Sequence, residues 1–135
     1  MVDCPALTGI SGLAGAAQLE ELGFYRVANL TSLRALEECP ALQELELVGC
    51  PLVDDIPVGS LTTLSVQDMD WKDLSRLADH KPLCVLDIRR MPALEDISAL
   101  VGLRDLTEVR FGASHALTGC RSLLDLPSLE RVTMT

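Results

Sequence analysis

The sequence predicts an α/β solenoid in which about six short strands stack side by side into one parallel sheet, while irregular, 3₁₀-like or briefly helical segments return along the other side. Three observations predict it. A run of the form L-x-x-L-x-L recurs along the chain, which is the signature of a unit too small to bury its own apolar face. Between these runs apolar residues recur at every third position, a period that suits a 3₁₀-like path better than a full helix. The prolines at 5, 40, 51, 57, 82, 92 and 127 all fall outside the strand cores, where a missing N–H would break the ladder.

Taken in order, the strand runs are Leu19, Leu22, Phe24, then Leu42, Leu45, Leu47, then Leu61, Leu64, Val66. The series continues with Leu83, Leu86, Ile88, with Leu106, Val109, Phe111 and with Leu129, Val132, Met134. The return after the first strand carries Val27, Leu30, Leu33, Leu36 and Cys39, and the return after the fourth carries Met91, Leu94, Ile97, Leu100 and Leu103. Asp73 to Ala78 is the segment most expected to form a helical turn. Cys4, Cys50, Met69 and Met91 share position nine of the unit, where the chain leaves the strand, and Cys39 and Cys120 stand in leucine columns. All are expected to be packed apolar substitutes, whereas Cys84 stands at a partly exposed strand position. A lone unit should not fold, because ordering its backbone costs more than its own apolar side chains return; stacked units share one elongated core.

Composition bounds the function. With 48% hydrophobic residues over 135 positions there is ample material for a continuous core, nearly all of it aliphatic. A net charge of −9 and few aromatics disfavour nucleic acid and anionic membranes as partners. Residues 1 to 67 carry nine acidic against two basic side chains, and residues 68 to 135 carry eleven against nine, so the N-terminal half holds most of the net charge. Five cysteines without C-x-x-C spacing suggest neither a zinc site nor a complete disulfide framework, and a reducing, cytoplasmic location is expected. Asp3, with no Lys or Arg before it, speaks against a secretory leader in the small-residue stretch from Cys4 to Gln18.

Signals for catalysis are poor. His80 and His115 fall in return loops of different units, and Asp54 with Asp55 reads as a solvated loop pair. No phosphate-binding glycine loop, H-E-x-x-H helix or G-x-S-x-G elbow occurs. The chain is expected not to be an enzyme and to use no cofactor or metal.

Two segments carry a resemblance. Asp96 to Leu106, DISALVGLRDL, resembles the short repeats of internalin and related bacterial leucine-rich-repeat proteins. Cys39 to Ile56, CPALQELELVGCPLVDDI, is similar to the cysteine-containing repeats of F-box substrate receptors and of NLR-type immune proteins. Position nine lacks the Asn that the internalin pattern carries there. The resemblance implies a curved leucine-rich-repeat solenoid whose sheet lines a concave surface used for protein recognition. Strand positions three, five, seven and eight then form the partner-binding face. Glu21, Tyr25, Glu44, Glu46 and Val48 lie at its N-terminal end, with Tyr25 and Val48 as apolar anchors. Gln67, Asp68 and Asp87 occupy the middle, and Arg89, Arg90, Arg110 and Arg131 the far end. The resemblance points to the sensor or target-binding part of an NLR-like signalling protein. The alternatives are a self-assembling adaptor or scaffold of the F-box type and a secreted host-binding protein of the internalin type.

Residues 1 to 135 thus read as one solenoid domain of about six repeats, expected to belong to a longer array. Aligning Cys4 to Leu13 with Met91 to Leu100 places both termini inside a repeat without a polar cap. Self-association through uncapped ends is therefore expected as a second mode of interaction.

Overall fold

The computed structural model describes residues 18–53, 56, 61–77, 82–113 and 125–134. Six strands lie in sequence order in one parallel sheet: β1 (Glu21–Tyr25), β2 (Glu44–Val48), β3 (Thr63–Gln67), β4 (Val85–Arg89), β5 (Glu108–Gly112) and β6 (Arg131–Met134). All six fall on the repeated runs. Pairing is in step throughout, so Leu22, Leu45, Leu64, Leu86, Val109 and Val132 form one row and Phe24, Leu47, Val66, Ile88, Phe111 and Met134 another. The short second spacing, Leu42 to Leu61, leaves this register intact, since Glu44 still faces Thr63.

Alternation of side chains along a strand sends these two rows into the core. In β1 to β5 they are buried, with no member more than 8% exposed. Positions three, five and seven point the other way and line the concave face.

The return segments explain the period of three. Leu36 donates its N–H to Leu33 O, Cys39 to Leu36 O and Leu42 to Cys39 O, and the same steps link Leu94 to Met91, Leu100 to Ile97, Leu103 to Leu100 and Leu106 to Leu103. Each bond spans three residues, so every third side chain returns to the same inward side. Short 3₁₀ helices form at Arg34–Glu38, Ser75–Leu77 and Ser98–Gly102. The turn expected over Asp73 to Ala78 is thus present at Ser75–Leu77, with Ala78 outside the described residues. Asp73 is drawn away from it, pairing as an isolated parallel bridge with Asp96 of the next repeat. Both carboxylates hold the turns that follow. Asp73 Oδ1 accepts from the Ser75 hydroxyl at 2.8 Å and Asp96 Oδ1 from the Ser98 N–H at 2.8 Å, and these bonds hold both carboxyls below the usual range.

At the strand exits the chain turns through left-handed backbone at position eight: Arg26 (φ 57°), Gly49 (64°), Asp68 (57°), Arg90 (49°) and Ala113 (52°). The turn lets the N–H of the first four reach the strand beyond, Arg26 to Val48 O at 2.7 Å, Gly49 to Gln67 O at 2.9 Å, Asp68 to Arg89 O at 3.2 Å and Arg90 to Gly112 O at 2.8 Å. At position nine follows a chain of sulfur contacts. Met91 Sδ accepts from the Met69 N–H and Met69 Sδ from the Cys50 N–H, both at 3.3 Å, and the Cys50 thiol turns to Val48 O at 3.6 Å. Burial pushes the Cys50 thiol up. These three residues and Cys39 are buried and Cys84 is half-buried, while Cys4 and Cys120 lie outside the described residues.

Candidate functional site

Regular register sets the side chains of the concave face in rows across the strands. Position three reads Glu21, Glu44, Thr63, Val85, Glu108, Arg131. Position five reads Gly23, Glu46, Ser65, Asp87, Arg110, Thr133, and position seven Tyr25, Val48, Gln67, Arg89, Gly112. All twelve candidate residues therefore lie on this face or, for Asp68 and Arg90, at its rim, as the repeat register requires.

The two ends of the face differ in how their charges are used. On β4 to β6 the carboxylates and arginines interlock. Asp87 takes a bidentate pair from Arg89, Nε to Oδ1 at 3.0 Å and Nη2 to Oδ2 at 3.0 Å, and Arg110 Nη1 lies 3.9 Å from the same carboxylate. Glu108 accepts from Arg110 Nε at 2.8 Å and faces Arg131 Nη1 at 3.9 Å. Asp87 is only 9% exposed, so it acts as an internal anchor that sets the guanidinium groups rather than as a free contact. The bond to Asp87 also raises the Arg89 pKa further. At the rim Arg90 Nη2 donates to Asp68 Oδ2 at 2.9 Å, and Gln67, with its amide oxygen toward Arg90, accepts from that guanidinium as well. The arginine end is consequently close to neutral, although its residues alone read as basic.

On β1 to β3 the arrangement is different. Gly23 lacks a side chain, and the Tyr25 ring lies across the vacancy, with Cε2 2.8 Å from where a Cβ would stand. The Tyr25 hydroxyl donates to Glu46 Oε2. That bond is the main reason the phenol titrates above its ordinary value, with partial burial and the negative charge of Glu46 adding to it. Tyr25 is therefore pinned flat and does not stand free as an anchor. Beside it opens a shallow recess of about 280 Å³ lined by Glu21, Gly23, Tyr25, Glu44, Glu46 and Ser65, while the Leu22 and Leu45 side chains between them face the core. Val48 is half-buried beyond the recess.

Gly23, Ser65 and Glu108 belong to this face too and were not among the residues singled out from sequence. Their strand positions, five and three, were available to find Ser65 and Glu108. Nothing in the sequence marks Gly23 as the bed of an aromatic ring.

A larger, mixed recess lies at the strand exits. There Trp71 donates its indole N–H to Val53 O at 3.2 Å, and the Arg76 guanidinium sits 4.4 Å above the ring beside exposed Leu52. Among the described residues no group of three or more His, Cys, Asp or Glu is placed to hold a metal ion, and no helix is long and apolar enough to cross a membrane. His80, His115 and the Asp54–Asp55 pair lie outside the described residues.

No protein-family model and no curated protein matches the chain. Among solved structures it is similar to an internalin, InlF, of Listeria monocytogenes, with a TM-score of 0.62 and 19% identity over 94% of this chain and 44% of that one. It is also similar to internalin C2 of the same organism, with a TM-score of 0.60 and 21% identity over 95% of this chain and 66% of that one. The chain thus spans less than half of the first and just under two thirds of the second. At such identities the likeness concerns the fold. With the six in-step parallel strands and the three-residue returns it establishes a leucine-rich-repeat solenoid of the α/β class.

Proposed function

We propose that the chain is a non-catalytic recognition module that binds a protein partner across the concave sheet face. The observation that carries this reading is the pinning of the charged and aromatic side chains of that face. Asp87 fixes Arg89, Glu108 fixes Arg110, and Glu46 with Gly23 fixes Tyr25. Side chains ordered before binding lose little entropy on binding, and a rigid parallel sheet keeps their spacing. In this reading the chain serves as the target-binding part of an NLR-like signalling protein in a reducing, cytoplasmic compartment, which the free thiols of Cys39, Cys50 and Cys84 suit.

The test uses two bulky substitutions and a capture assay. Ser65→Trp obstructs the middle of the concave face without breaking an ion pair, and Val101→Trp changes an exposed convex position. Partners captured by the unaltered chain should be lost with Ser65→Trp and kept with Val101→Trp. The reverse outcome would place recognition on the convex side.

One observation favours a second reading, self-assembly through the β6 edge. Val132 and Met134 are 41% and 54% exposed, although they continue rows that are buried in every other strand. Under this reading association rises with concentration and Met134→Glu abolishes it. Sedimentation that stays monomeric across concentrations would remove it. The N-terminal end, for which association was expected from sequence, lies outside the described residues.

A further inference from the structure

The concave-face reading fixes where a partner sits, and the charge pattern on that face says what the partner carries. We propose that the β1–β3 half of the face takes a basic segment of the protein partner, with one lysine or arginine side chain entering the recess beside Tyr25. This proposal rests on the concave face being the recognition surface.

Three features lead to it. The first is an imbalance in charge compensation. Asp68, Asp87 and Glu108 each have an arginine of this chain within 4.0 Å, whereas Glu21, Glu44 and Glu46 have no cation within that distance among the described residues. Glu21 and Glu44 stand directly opposite each other across β1 and β2, an arrangement of like charges that destabilises a sheet. The fold thus keeps an unfavourable pair that a bound cation would relieve.

The second feature is the aromatic wall. Carboxylates alone would form an ordinary solvated surface. Here the Tyr25 ring is immobilised over Gly23, and its hydroxyl is engaged by Glu46, so an aromatic surface stands next to the uncompensated carboxylates. A guanidinium or ammonium group gains from both at once, by ion pairing and by the ring quadrupole. The recess of about 280 Å³ beside the ring has room for such a side chain. Among the described residues these carboxylates are not placed to hold a metal ion, and the recess that Glu21, Glu44 and Glu46 line is open to a long cationic side chain.

The third feature is long-range. Residues 1 to 67 carry nine acidic against two basic side chains, so the field around the recess draws a basic segment in and turns an acidic one away.

The experiment titrates the isotopically labelled chain with an end-blocked tetrapeptide, Gly-Arg-Arg-Gly, and with its citrulline counterpart, which has the same shape and no charge. Amide signals of Glu21 to Tyr25 and Glu44 to Val48 should move with the arginine peptide alone and saturate. Glu44→Gln with Glu46→Gln should weaken binding at least about tenfold, and Tyr25→Leu severalfold. Glu44→Gln should also raise the melting temperature, because it removes one of two facing charges, which separates a binding loss from a folding defect. Shifts spread evenly over all acidic positions, Asp70, Glu95 and Asp105 included, or binding indifferent to Tyr25→Leu, would overturn the proposal. If Ser65→Trp abolishes partner capture while the peptide ignores the recess, this proposal alone fails. If the peptide is seated but capture is indifferent to Ser65→Trp, the face assignment fails and the recess stands.

Discussion

Tyr25 and Asp87 occupy the same face, yet neither behaves as its residue type suggests. Tyr25 is held flat by Gly23 and Glu46, and Asp87 is sunk beneath two arginines. The sequence placed both on the concave face, because a period of two and a fixed register decide which side a strand residue takes. It was silent on their use, which depends on how long side chains of neighbouring repeats fold over them. Tyr25 is the one tyrosine of the chain, so its titration can be followed by ultraviolet absorbance without interference from another phenol. Its pKa in the fold lies above the ordinary value of 10.0, first through the bond to Glu46. The stability this bond contributes is therefore complete below the unfolded value and is lost as pH rises through the higher folded midpoint. Glu46→Gln should bring the midpoint down toward 10.0, and an unchanged midpoint would mean that the bond does not form. At the arginine end, Arg89→Glu would set a carboxylate beside buried Asp87. Loss of stability is expected there, so such a reversal cannot report on binding alone.

At the scale of one repeat, the return path was legible because every third residue closes a hydrogen bond three residues back, and that bond keeps the apolar side chains on one side. The helical turn was less legible. Asp73 has the side chain of a turn residue, but its backbone is claimed by the bridge to Asp96, so the 3₁₀ turn begins at Ser75. Position eight needs a left-handed residue, and the chain meets that need with glycine once, at Gly49, among the described repeats. Ala113→Gly should accordingly stabilise by about 0.5 to 1 kcal/mol, and Gly49→Ala should cost about 1 kcal/mol, since an added Cβ meets no close contact there and the backbone conformation alone decides. Equal and unchanged melting points for the two variants would contradict the strain assigned to this turn. The sulfur contacts at position nine give a sharper test. Met69→Leu conserves volume but removes the acceptor of the Cys50 N–H, and a cost of about 1 to 2 kcal/mol is expected in denaturant unfolding. A neutral result would make the sulfur mere filling.

Across the whole molecule, each strand pairs with its sequence neighbours alone, so the core is a row of shared interfaces rather than one centre. A cavity in the middle of the row is felt from both sides. Leu64→Ala, at a fully buried position of β3, should cost about 3 to 4 kcal/mol and lower the cooperativity of unfolding. The solenoid was readable because its information repeats: six runs and their returns carry the same message, and an error in one is corrected by the others. The concave face was readable in outline, as a set of positions, but its electrical character was not, since Arg89, Arg90 and Arg110 count as positive in sequence and are largely neutralised by Asp87, Asp68 and Glu108 in space. The central claim is that a protein partner lies across the concave face. It is tested most directly by placing a photo-crosslinking amino acid at Ser65 on the concave face and, separately, at Val101 on the convex side, and irradiating each with the captured partner. The account predicts a covalent adduct from Ser65 and none from Val101, and an adduct formed from Val101 alone would contradict it.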